Sequence, residues 1–152
     1  MRLRYSGLDA EQFRGLFALS DAELAARNIV KMAAEPGSPC RVSLEDAVPG
    51  ESVLLLPFEH QGAATPYRGT GAIFVRESAR QSYDADVPPS VFRSRTLSLR
   101  AYDGAGMMVQ AELCEGPEVD AACARLLGSS KAAYIHAHYA KYGCYGALVR
   151  RS

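Results

Sequence analysis

Three histidines are the whole complement of the chain, and they are not scattered. His136 and His138 stand two residues apart inside Ala132 to Tyr139, a run whose composition predicts a strand. Alternate side chains of a strand share a face, so both imidazoles project the same way. His60 closes a second apolar run, directly after Glu59. Two imidazoles aimed together suit a divalent ion, with His60, Glu59 or Cys144 as a third ligand. The same pair suits two hydrogen-bonded imidazoles on a half-buried sheet face, and no diagnostic spacing fixes the third ligand. No metal is assigned on this ground, the cofactor stays open, and His60, His136 and His138 stand as catalytic candidates.

The four cysteines, Cys40, Cys114, Cys123 and Cys144, include no pair with C-x-x-C spacing. Zinc-ribbon and thioredoxin-type readings are therefore excluded, and four reduced, unpaired thiols are expected. Cys123 falls on an apolar helix stripe and reads as core, as does Cys114. Cys40 and Cys144 lie beside turns and are the candidate nucleophiles; Arg41, next to Cys40, brings a charge of the kind that favours a thiolate. A third cluster, Thr65-Pro66-Tyr67-Arg68, follows His60, and Arg76 ends a later strand. Arginine forks bind carboxylates and phosphates, so Arg41, Arg68 and Arg76, with Glu59 and Tyr67, are candidate ligand-binding residues.

These side chains need a scaffold. Ser20-Asp21-Ala22-Glu23 has the capping-box pattern and predicts a helix start, and Asn28 suits a left-handed stop. Ile29 to Ala33 reads as a short strand. Cys40 to Leu44 looks extended between turn clusters at Glu35–Pro39 and Val48–Glu51. Ser52 to Phe58 is continuously apolar, as in a central strand, with Pro57 marking a bulge or an end. Ala72 to Arg76 is another strand, and Glu77 to Pro89 a long loop. Thr96 to Tyr102 alternates cleanly, Asp103–Gly106 turns, and Val109, Ala111 and Leu113 are expected to line the buried face of the return strand. Val119, Ala122, Cys123 and Leu126 form the stripe of a second helix, which Gly128 stops. Tyr145 to Arg150 is the last strand. The strand ending at Phe58 and that holding His136 are expected to be neighbours in one sheet or one strand apart.

The expected fold is α+β: a mainly antiparallel sheet of about seven or eight strands with two or three helices, in one domain over residues 1–152. No glycine-rich strand–loop–helix unit supports a dinucleotide or P-loop fold. The chain has 17 basic and 17 acidic side chains, a balance that argues against a general nucleic-acid binder. No apolar run approaches the ~20 residues of a membrane span, and no export signal is visible, so a soluble, cytoplasmic protein is expected. Arginine outnumbers lysine 14 to 3, alanine appears 24 times and asparagine once. That is the bias of a GC-rich, bacterial coding sequence, and it weakens any argument from arginine count alone.

Several strings together resemble one family: Ala18-Leu19-Ser20-Asp21-Ala22-Glu23-Leu24, Pro39-Cys40-Arg41-Val42-Ser43-Leu44-Glu45-Asp46, Leu54-Leu55-Leu56-Pro57-Phe58-Glu59-His60, Thr65-Pro66-Tyr67-Arg68, Ala72-Ile73-Phe74-Val75-Arg76-Glu77, Tyr134-Ile135-His136-Ala137-His138 and Gly143-Cys144-Tyr145. They resemble the uncharacterised bacterial family called domain of unknown function 1203. The resemblance implies a stand-alone, mostly bacterial domain with no assigned reaction, and it carries over no catalytic residue. The expectation is a His/Cys/Arg pocket for a small polar or anionic metabolite, belonging to an enzyme or to a non-catalytic binding module with structural histidines. Oligomeric state stays open.

Overall fold

Ser20 caps its helix as its sequence pattern requires: its hydroxyl accepts from the Glu23 amide while the Glu23 carboxylate accepts from the Ser20 amide. The computed structural model describes all 152 residues. In chain order the elements are β1 (Leu3–Ser6), α1 (Glu11–Arg14), α2 (Asp21–Ala26), β2 (Val30–Ala33), β3 (Ser52–Gln61), β4 (Gly69–Arg76), β5 (Asp84–Ala85), β6 (Thr96–Tyr102), β7 (Met108–Glu115), α3 (Val119–Leu127), β8 (Tyr134–Tyr139) and β9 (Tyr145–Arg151). Asn28 takes the left-handed conformation after α2, with φ of 58°. No helix is long and apolar enough to cross a membrane.

The fold is α+β, and its strands form two antiparallel sheets. Six strands run β5-β1-β9-β8-β6-β7, and three run β2-β3-β4. The strand count is nine, because two short pairings escape pattern reading. β1 has only four residues, and β5 lies inside the expected long loop, where Tyr5 and Ser6 pair with Ala85 and Asp84. The Arg4 guanidinium forks onto Asp84 across that pairing.

Each sheet has its own core. The stripe Val119, Ala122, Cys123 and Leu126 of α3 is buried against Leu97, Leu99, Ile135, Ala137 and Val149 on one face of the large sheet. Phe13 and Leu24, from the segments before β2, pack on Leu54, Leu56, Ile73 and Val75 of the small sheet. α3 shields one face of the large sheet, so the opposite face is left for the small sheet.

Three expectations need correction. Cys40 to Leu44 is not a strand: it is a buried turn held by isolated bridges of Pro39 to Asp46 and Cys40 to Phe74, with Leu44 at φ of 51°. Val109, Ala111 and Leu113 do not face the core, and Leu113 is 69% exposed. The register pairs Leu97 with Cys114 and Leu99 with Glu112, so Cys114 and Glu112 take the α3 side, where Glu112 binds Arg125 of the helix. β7 is also an edge strand, and its apolar alternates lie on the other face beyond the small sheet. Finally, the strands carrying His60 and the histidine pair are not sheet neighbours. They belong to different sheets and meet across faces.

Candidate functional site

β8 does what its pattern predicts: His136 and His138 project from one face. On neighbouring strands, His136 is paired with Arg100 and Leu148, and His138 with Ser98 and Tyr145. A bulge in β9 skips Gly146 and brings Tyr145 opposite His138. β3 runs past Pro57 to Gln61, and its irregularity sits between Glu59 and Gln61, at His60. Such a bulge re-aims the residue it carries. Here it sends His60 across to the large sheet, where its ring lies 4.9 Å from that of His138 and 6.3 Å from that of His136.

The three histidines thus converge from two sheets, with one potential ligand atom on each, all within 4.8 Å of one another. Tyr145 fills the space behind them, stacked flat on His60 at 5.9 Å and edge-on to His136 at 5.1 Å. Each ring keeps a buried nitrogen with no protein partner: Nδ1 of His60, Nδ1 of His136 and Nε2 of His138. The His138 ring is oriented by its other nitrogen, Nδ1, 3.0 Å from the Gly143 carbonyl oxygen. That carbonyl can only accept, so Nδ1 carries the proton and Nε2 offers its lone pair. This is the outer-sphere arrangement that metal-ligating histidines use.

Electrostatics keep the imidazoles neutral. Burial pushes His136 down to about 4 and His138 down to about 3, and lowers His60 as well. The Arg100 charge acts in the same direction on all three. Arg100 itself makes no ion pair, and its side-chain contact is the Ser98 hydroxyl. Beyond His136 a tyrosine group continues the site. Tyr102 stacks on Tyr134 at 5.4 Å, Tyr67 meets the edge of Tyr102 at 6.2 Å, and buried Gln61 donates to the Tyr134 hydroxyl.

A cleft of about 780 Å³ adjoins this centre. His60 lines it, together with Arg41, Arg95, Tyr139, Lys141 and Cys144. The Arg41 guanidinium donates to the Tyr145 and Pro39 carbonyls and, at 3.1 Å, to the Cys144 sulfur.

The structure therefore gathers His60, His136 and His138, and brings Arg41 and Cys144 into the adjoining cleft. The other candidates are placed elsewhere. Cys40 is buried in the core of the small sheet, its sulfur accepting from the Arg76 amide, and does not line the cleft. Arg76 is engaged by Glu51 and Glu45. Arg68 pairs with Glu59 at the surface, so Glu59 is not among the converging ligand atoms. Tyr67 stands at the rim. The four cysteines are free thiols, and burial pushes Cys114 up to about 11 and Cys123 up to about 12, which suits core packing rather than chemistry. Arg100 and Tyr139 are site residues that no motif marks, and Tyr145 lies in the Gly143-Cys144-Tyr145 string, which assigns it no role. The alternation of Arg100 with Ser98 on β6 was the available signal, but it becomes informative only once β6 is paired with β8.

A family model described as "Protein of unknown function (DUF1203)" matches residues 37–151, which hold the three histidines and the whole cleft lining except Glu35 and Pro36. Neither the comparison with curated proteins nor that with solved structures finds a match.

Proposed function

The chain belongs to the DUF1203 family of proteins of unknown function, so its chemistry has to be read from the site, and we propose that His60, His136 and His138 hold a divalent first-row metal ion serving a reaction on a small polar or anionic metabolite. The observation that carries this is the convergence of three neutral imidazoles, each with a buried nitrogen that no protein group satisfies. A buried polar atom without a partner costs about 1–3 kcal/mol, so three together need a common explanation. One ion accepting three lone pairs supplies it.

The geometry is compatible. Metal–nitrogen bonds of about 2.0–2.1 Å in a tetrahedral site set the nitrogens about 3.3 Å apart, so no pair within the present 4.8 Å has more than about 1.5 Å to close. Three protein ligands leave a fourth position open, and an ion so held polarises a bound oxygen or activates water. Three neutral ligands leave the ion's full charge uncompensated. Unpaired Arg100 beside it adds more positive charge, and together they favour an anion as the fourth ligand. The cleft reaching His60 gives such a molecule access.

Protein purified without chelator or histidine tag should contain about one zinc, iron or manganese ion per chain by elemental analysis. His136→Ala or His138→Ala should weaken zinc binding, measured calorimetrically, by at least about 100-fold, beyond the ~10–100-fold cost of losing an outer-sphere partner. Chelator-treated protein that takes up none of the three metals removes the centre, and a non-catalytic binding module with structural histidines then becomes the better reading.

A further inference from the structure

We propose that the cleft contains an oxyanion subsite centred on Arg41, so that its ligand carries a carboxylate or phosphate group, with the rest of the molecule extending toward His60. This deepens the metal-centre reading and rests on it for where the reacting end lies, but the subsite is testable in metal-free protein.

Arg41 is the starting point. It is the largest side chain in the fully buried set, at 2% exposure, and it has no carboxylate partner. A buried charge is costly unless paired. Its three hydrogen bonds go to two backbone carbonyls and one sulfur, none of which carries a full negative charge as a neutral group. A guanidinium has five N–H donors, so two have no protein partner. The backbone contacts hold the group rigidly, which is the preorganisation that anion recognition needs.

An independent observation lies next to it. Tyr139 lines the cleft, and two guanidinium groups lie over its ring, Arg41 at 4.9 Å and Arg95 at 5.5 Å from the centroid. Its hydroxyl is buried without any partner, although the residue is only 4% exposed. A phenol carries its proton at neutral pH and can donate it. A phenol donor beside an acid-free guanidinium matches the oxygens of a carboxylate or phosphate. Lys141, also on the cleft wall, has no acidic partner either, whereas Arg95 is already neutralised by Asp46. Glu35 also lines the cleft without a cationic partner, so Arg41 and Lys141 stand against one carboxylate and the balance of free charge stays positive.

Cys144 provides the readout, because it is the one cysteine that is not buried and its sulfur contacts Arg41. In chelator-treated protein, its alkylation by neutral iodoacetamide is followed by mass spectrometry against inorganic phosphate or acetate, with chloride matching ionic strength. Saturable protection of at least about fivefold by either anion is expected, and the stronger protector identifies the acid group. Tyr139→Phe should weaken the protecting anion about three- to tenfold, and Arg41→Lys more, since the fork is lost. Should Arg41→Lys fail to fold, as judged by circular dichroism, Tyr139→Phe and Lys141→Ala decide. Absence of protection by both anions overturns the subsite, as does protection unchanged by the cleft variants. Loss of metal binding with protection intact would overturn the histidine centre alone.

Discussion

Gly69 has no side chain at the one place where a Cβ would lie 3.3 Å from both Cε1 and Nε2 of His60. Contacts that close force the neighbour to move, and the neighbour here is the ligand ring itself. His60 is also the weakest-held of the three: it sits at a bulge, near the end of β3, while His136 and His138 are fixed in mid-sheet. We therefore expect Gly69→Ala to cut zinc affinity about tenfold while changing the thermal midpoint by no more than a few degrees. Calorimetry and a melting curve on the same preparation check this. Unchanged affinity would mean that His60 does not set the geometry of the centre. At this scale the sequence was informative about the histidines and less so about the arginines. His-x-His fixes a shared face by strand geometry alone. Arg41 and Arg76 look alike in sequence, both beside turns, yet Arg76 meets two carboxylates and Arg41 none. Partner choice is made by residues far away in the chain.

The small sheet is clamped at one end by charges from separate elements. Arg76, at the end of β4, donates to Glu51 just before β3 and to Glu45 in the preceding turn, and Ser78 and the Val48 amide also donate to Glu51. Hydrogen bonding from Arg76 holds the Glu51 carboxyl down to about 2, from an ordinary value of 4.5. A carboxyl depressed in the folded state stabilises it fully above 4.5, and that contribution fades as pH falls through 2. Glu51→Gln should cost about 1 kcal/mol in urea unfolding at pH 7. The gap between the two proteins should shrink below pH 4.5 and close near pH 2. A gap that stays constant down to pH 3 would assign the loss to shape rather than charge. Elements with their own local code were legible: the Ser20 capping box, Asn28, the α3 stripe and the β6–β7 turn all form as their residues dictate. Elements without one were not. β1 and β5 exist only because distant partners complete their hydrogen bonds, and the burial of β7 is inverted because its register on β6 sets Cys114 and Glu112 opposite Leu97 and Leu99, on the α3 side.

At the level of the whole molecule, the division into two sheets was beyond pattern reading, since apolar runs reveal strands but not which strands share a ladder. That division gives the histidine centre its character. Two of its members belong to the large sheet and one to the small, so binding an ion requires the sheets to be docked and undocking releases it. Ligand binding to the docked state alone stabilises it by mass action, about 2.7 kcal/mol at a hundredfold excess over the dissociation constant. Hydrogen exchange should report this. Zinc should slow amide exchange in β3 and β4 as one unit, chelator should restore it, and His60→Ala should be insensitive to either. Protection confined to β8 and β9 would show that the small sheet takes no part. The placement of His60 at the far side of this joint has a further consequence in chain statistics. An ion joining residues 60 and 136 closes a long loop of the unfolded polypeptide, and long loops are those whose closure removes the most disorder. The centre would act as a reversible crosslink in a chain with no disulfide, formed or opened by metal supply.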